Sequence, residues 1–157
     1  MTSPDKFVGT WKLLEFKTID SGKTIYSMGE NPEGYIIYTP DGHVSVCFMM
    51  RDRPKLGLSM LEMQELKNIK FGNLIKKFFK YLKATLSYFK ASRNYVSYAG
   101  TYEIQDNQVV HHLTVSLIPD WVGIDLVRTF EFLEDRLILS PPVMGNVSSA
   151  LTWQRIG

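Results

Sequence analysis

Apolar and polar residues alternate with a period of two over most of the chain, in short runs closed by turn residues. The first run is "GTWKLLEFKTI". After a loop holding "GENPEG" come "YIIYT", the turn "PDG" and "HVSVCFMM". Beyond residue 96 the runs are "YAGTYEI", "VVHHLTVSL", "LVRTFEF", "LILS" and "SSALTWQR". This predicts a mainly β protein of eight strands in up-and-down antiparallel order. The tight connections (Pro40 to Gly42, Gln105 to Gln108, Leu133 to Arg136) all fall at one end of that order. The long ones (20–34, 51–96, 118–125 and 141–147) fall at the other. Eight antiparallel strands suffice to close a barrel around one small ligand, with a closed base and an open mouth.

Residues 51–96 break the pattern. Phe71, Leu74, Ile75, Phe78, Leu82, Leu86 and Phe89 recur at helical spacing on one face, and Lys76, Lys77, Lys80 and Lys83 lie opposite. A helical insert at about 58–93 is expected over the open end as a lid, with Phe78 and Leu82 placed to touch a ligand. A brace on the outer wall and a membrane-surface helix are the competing readings. From Lys67 to Arg93 there are eight basic residues and no acidic ones, while the rest of the chain holds 10 basic and 16 acidic residues. Contact with an anionic membrane through 67–93 is therefore a partner to consider. The basic stripe carries no nucleic-acid-binding motif, so no nucleic acid is expected.

A length of 157 residues is expected to form one domain spanning 1–157. Cys47 is the one cysteine, which excludes an internal disulfide framework. No apolar run approaches the roughly 20 residues of a membrane span. "MTSPDKFVGTW" has no apolar leader pattern, which makes the cytoplasm the expected location. No P-loop, dinucleotide fingerprint or Gly-x-Ser-x-Gly elbow occurs, and no cofactor is expected. His111 and His112 are neighbours on a strand, so they point to opposite faces and cannot chelate one ion; no metal is expected.

Alternation assigns the lumen. Val109, His111, Leu113 and Val115 share the more apolar face of their strand, and Arg128 shares a face with Phe130 and Phe132. Tyr98 and Tyr102 share another. Pairing across the turn at 105–108 sets His111 opposite Tyr102 and Val115 opposite Tyr98. Pairing across 118–125 sets Arg128 opposite Val115. Tyr98, Val115 and Arg128 then form a layer near the mouth, and Tyr102, His111 and Phe132 a deeper one. A buried Arg needs a partner. In a strict strand Glu15 shares a face with Trp11 and Leu13 and supplies a carboxylate; otherwise an anionic or carbonyl-bearing ligand does. His111 is either a core residue bonded to Tyr102, a general acid or base, or a donor to ligand. Trp121, in "PDWVG", caps the pocket or packs under its loop. Tyr38 and Tyr35 each have a lumenal option. Cys47 reads as a small core residue.

"GTW" at the start of the first strand and "LTWQR" at the end of the last resemble the signature of lipocalins and their calycin relatives. The resemblance implies that Gly9, Trp11 and Arg155 form a plug at the barrel base, with guanidinium stacked on indole. "GYIIYTPDGHVSV", "YAGTYEI", "VVHHLTVSLIPDWVG", "VRTFEF" and "DRLILSPP" look like the bacterial and fungal lipocalin-like domain family, many of whose members serve small-molecule pathways. The likeness covers nearly all of the chain except the helical insert.

Three functions fit these features. The first is a carrier or sequestering barrel for an apolar or amphipathic small molecule in a specialised pathway. The second is a cofactor-free cyclase, isomerase or dehydratase, with His111 or Tyr102 moving a proton and Arg128 stabilising a carbonyl. The third is a membrane-surface adaptor for lipid-like ligands. The expected ligand contacts are Tyr38, Phe78, Leu82, Tyr98, Tyr102, His111, Val115, Trp121, Arg128 and Phe130.

Overall fold

The computed structural model describes residues 4–66 and 74–157, with side chains at residues 5–64 and 82–157. Two compact units result. The first comprises Met1–Arg51 with Tyr95–Gly157, and the second Asp52–Asn94.

The first unit is an antiparallel barrel. Its strands are β1 (Gly9–Asp20), β2 (Lys23–Tyr26), β3 (Glu33–Tyr38), β4 (His43–Met49), β5 (Tyr95–Gln105), β6 (Gln108–Ser116), β7 (Asp125–Leu133), β8 (Arg136–Ser140) and β9 (Val147–Arg155). β1 and β3 to β9 pair in sequence order, and β1 also pairs with β9, which closes an eight-membered ring. The ninth strand, β2, folds back on the far end of β1 through Ser21 and Gly22, both at positive φ. All four β2 residues are exposed. A strand that buries neither face has no alternation to reveal it, so the sequence reading placed it in a loop.

Two bulges interrupt the ladders. Leu13 pairs with Trp153 but Glu15 pairs with Thr152, so Leu14 is an extra residue in β1. The parity of β1 reverses there. Trp11 and Leu13 are buried before the bulge, and Phe16 packs into the core after it. Glu15 therefore turns to the face opposite Phe16 and is not the interior carboxylate that a strict strand predicts. The second extra residue is Thr114, because Gly100 pairs with Leu113 while Ala99 pairs with Val115. Gly100 lets β5 and β6 approach at this bulge: a Cβ there would sit 1.8 Å from the His112 carbonyl oxygen.

The base of the barrel is filled by aromatic rings. Phe7, just before β1 and fully buried, meets Tyr38, Phe130 and Phe132 edge-on at centroid distances of 5.2, 4.8 and 5.0 Å. Its carbonyl accepts the Trp11 indole N–H at 2.8 Å. The Arg155 guanidinium lies 4.2 Å from the Trp11 ring and donates to the carbonyls of Val8 and Lys6. Gly9 permits this approach: it holds φ +136°, and a Cβ there would meet Arg155 at 2.7 Å and the Gly157 oxygen at 2.4 Å.

The second unit contains α1 (Met60–Leu66) and α2 (Leu74–Arg93), inside the expected insert. Ser59 and Glu62 cap α1 reciprocally: the Ser59 N–H donates to the Glu62 carboxylate at 2.9 Å, and the Glu62 N–H donates to the Ser59 hydroxyl at 3.3 Å. Leu82, Leu86 and Phe89 of α2 are exposed. No described helix is long and apolar enough to cross a membrane. Phe78, expected to touch ligand, and most of the basic stripe lie outside the described side chains.

Trp11→Ala should lower unfolding stability by about 3–5 kcal/mol, the range for emptying a buried aromatic site. Arg155→Ala should cost less, because the guanidinium stays exposed to water. Urea unfolding measures both; a Trp11→Ala midpoint equal to that of the parent chain would refute the plug.

Candidate functional site

The barrel unit encloses a cavity of about 120 Å³ toward the end that carries the long connections. Phe16, Ile36, Phe48, Val96, Leu139, Pro141 and Leu151 form apolar walls, and Tyr98, Trp121, Arg128 and Trp153 complete the lining. The walls follow from alternation. Ile36 and Tyr38 point inward from β3, and Val44, Val46 and Phe48 from β4. Tyr35 and Cys47 lie on the other faces of those strands, which takes Cys47 out of the core and leaves it half-buried.

Among the described residues Arg128 brings the only charge to this lining. One guanidinium N–H donates to the carbonyl of Val127 at 2.8 Å. Among the described residues no carboxylate pairs with it. Burial pulls the guanidinium below its ordinary pKa, partly offset by the neighbouring Tyr98 and Tyr38. An arginine stays protonated under such a shift. Trp153, 1% exposed, shares the cavity, and its indole Nε1 is buried without a hydrogen-bond partner. Such an atom is rare in a folded protein.

Behind the cavity lies a chain of three buried polar side chains. The Tyr38 hydroxyl is 2.8 Å from His111 Nε2, and the Tyr98 hydroxyl is 3.1 Å from His111 Nδ1. His111 is 0% exposed. Burial, the Arg128 charge and His112 push its pKa down to about 3, so the imidazole is neutral. Burial raises Tyr98 to about 12 and Tyr38 well above its ordinary value. Both hydroxyls keep their protons.

The structure gathers Tyr98, Trp121 and Arg128 around the cavity, with His111 immediately behind. Tyr38, Tyr102 and Phe130 instead join the aromatic cluster around Phe7. Tyr102 is indeed opposite His111, but its hydroxyl donates to the Thr39 carbonyl at 3.2 Å and not to the imidazole. Two registers differ from expectation. The bulge at Thr114 sets Val115 opposite Ala99, where it is 63% exposed and outside the lumen. Arg128 pairs with Val109, six residues from the expected Val115. The reason is that the β6–β7 connection folds back early: Gly123 donates to the Leu113 carbonyl, and Leu113 to that of Ile124. His112 lies on the outer face, with Nδ1 2.6 Å from Asp125 and Nε2 3.6 Å from Glu103. Among the described residues no three potential ligands are grouped to hold a metal.

Trp153 is the principal residue that sequence reasoning left out. Alternation back from Arg155 places it inward, so the signal existed. Phe16 was hidden by the bulge at Leu14, and Phe7 by its position outside any strand.

A family model described as "Lipocalin-like domain" matches residues 8–156. No curated protein matches the chain. Among solved structures, a lipocalin-like protein from Bacteroides uniformis is similar at 10% identity and TM-score 0.46, covering 96% of this chain and 98% of that one. A protein from Bacteroides eggerthii is similar at 12% identity and TM-score 0.44, covering 96% and 99%. The wild-type fluorescent protein UnaG is similar at 15% identity and TM-score 0.40, covering 98% and 100%.

The buried imidazole predicts acid sensitivity. Its folded pKa of about 3 lies below the ordinary 6.5, so between these values the unfolded chain binds a proton that the folded chain refuses. The associated stability is whole above pH 6.5 and is lost as pH falls toward 3. His112 has the opposite sign: its hydrogen bond to Asp125 raises its pKa, so its contribution is present in acid and lost as pH rises. His111→Gln should therefore flatten the loss of stability between pH 7 and 5, and His112→Gln should steepen it. Urea midpoints across that range are the measurement; an unchanged slope in His111→Gln would show that another group governs it.

Proposed function

The chain belongs to the lipocalin-like domain family, and from that premise we propose that it is a cytoplasmic carrier that holds one small amphipathic molecule in the barrel lumen and serves a specialised small-molecule pathway. The observation that carries this reading is the cavity itself: apolar and aromatic walls with one half-buried cation that, among the described residues, no carboxylate neutralises. A cavity of that make-up is adapted to a ligand with an apolar body and one polar group.

The same chemistry favours carriage over catalysis. A general base needs a ring nitrogen free to reach the substrate. Both nitrogens of His111 are engaged by tyrosines, and the imidazole has no exposed surface. Tyr98 keeps its proton far above neutral pH. Tyr102, the other proton-transfer candidate, bonds a backbone carbonyl in the base cluster.

Val96→Trp places an indole in the cavity wall and should abolish retention of co-purifying small molecules while circular dichroism stays that of the parent. Native mass spectrometry of the purified chain reads the bound mass directly. The recovered molecule should be chemically unchanged after prolonged incubation with the protein. Accumulation of a product beyond one equivalent would replace the carrier with an enzyme.

A further inference from the structure

We propose that the cavity selects a compact carboxylate with an apolar body about the size of one ring, because Arg128, Trp153 and Tyr98 present it with hydrogen-bond donors only. This deepens the carrier reading and rests on it.

Two of the three donors are fixed by chemistry. A guanidinium and an indole N–H donate and never accept. The third follows from the hydrogen-bond chain behind the cavity. A neutral imidazole carries one N–H, so one of its two tyrosines donates to it and the other accepts from it. If Tyr98 donated to Nδ1, the Nε2 proton would go to Tyr38, and the Tyr38 hydroxyl proton would then be buried with no acceptor. Tyr38 is 1% exposed, and its hydroxyl is bonded to His111 alone. An unsatisfied buried donor is costly. The satisfied arrangement has Tyr38 donating to Nε2 and Nδ1–H donating to the Tyr98 oxygen. That leaves the Tyr98 hydroxyl proton free, and Tyr98 is a cavity residue.

A ligand group that meets donors and one positive charge is an acceptor, and negative charge on that acceptor is what answers the guanidinium. The guanidinium fork matches a carboxylate in shape, and a single cation balances a single anion. An amide or alcohol brings an N–H or O–H of its own, and the one side-chain acceptor among the described lining residues is the Tyr98 oxygen, already bonded to His111. Size narrows the class. The cavity measures about 120 Å³, below the roughly 150 Å³ of an apolar cavity that takes up one benzene ring, so one ring is its upper limit.

The test uses benzoate, benzamide and toluene as probes of the intact chain at pH 7. Calorimetry gives affinities, and the ¹⁵N-resolved Trp153 Nε1–H resonance reports the site. Benzoate should bind at least about tenfold tighter than benzamide, the lower bound for a hydrogen-bonded charge pair in a buried site. Benzoate, unlike toluene, should move the Trp153 Nε1–H resonance downfield. Arg128→Met should erase the preference for benzoate over benzamide while toluene still binds, and Trp153→Phe, which keeps the ring and removes the N–H, should reduce it. Equal affinity for benzoate and benzamide, with toluene bound, would overturn the carboxylate inference and leave the cavity as a binding site. If none of the three probes binds or perturbs the Trp153 resonance, the inference is overturned in both size and charge class, while the carrier reading is decided separately by the mass bound to the purified chain.

Discussion

A barrel exists only if its first and last strands meet, and here the β1–β9 ladder also decides what the lumen contains. The ladder carries one extra residue, Leu14, between the pairs Leu13–Trp153 and Glu15–Thr152. Because side chains alternate strictly along a strand, one extra residue exchanges the two faces for everything beyond it. Before the bulge, β1 sends Trp11 and Leu13 inward to the base. After it, Phe16 faces in and Glu15 does not. Without the bulge, Glu15 would share the inward face of Trp11 and Leu13 and bring a carboxylate into the lumen. With it, Phe16 becomes cavity wall and the guanidinium keeps its charge for another partner. The electrostatics of the site thus descend from a backbone irregularity three strands away in the ring.

A half-buried cation without a carboxylate beside it works against folding. The barrel reduces that cost locally through the Val127 carbonyl. The remainder, together with the orphan indole N–H of Trp153, is polar capacity that the fold itself leaves unused. Capacity of this kind, gathered in one cavity among apolar walls, suits a ligand with an apolar body and one polar group. Core residues show the contrast: Trp11 has its indole N–H satisfied by Phe7, and His111 has both nitrogens satisfied.

Hydrophobic alternation made most of this architecture legible. The eight ring strands, the three tight hairpins and the Trp11–Arg155 stack follow from period-two runs, turn residues and two short motifs. The inward faces of His111 and Arg128 follow from the same rule. What alternation cannot show is where it stops. The bulges at Leu14 and Thr114 misplace Glu15 and Val115 because a period of two has no mark for an inserted residue. The six-residue shift that sets Arg128 against Val109 arises from tertiary hydrogen bonds of the 117–124 connection, which no local pattern encodes. β2 was invisible because none of its residues is buried, and Phe7 because it acts from outside any strand. The hydrogen-bond chain through Tyr38, His111 and Tyr98 joins three strands, so only the closed barrel assembles it.

Phe7 also accounts for the size of the cavity. An eight-stranded barrel has room for a ligand along much of its axis, and the cavity lined by Tyr98, Arg128 and Trp153 lies toward the end bearing the long connections. Four aromatic rings from three strands, those of Tyr38, Tyr102, Phe130 and Phe132, close around Phe7 within 6.4 Å centroid distances. They form a floor, and His111 sits just above it, tied to Tyr38 on one side and to the cavity residue Tyr98 on the other. Three layers result along the barrel axis: an aromatic base, a neutral hydrogen-bonded tier that orients one hydroxyl, and a small cationic chamber. Each layer depends on the one below. The base fixes Tyr38, Tyr38 fixes the proton on His111, and that proton determines whether Tyr98 meets a ligand as donor or acceptor.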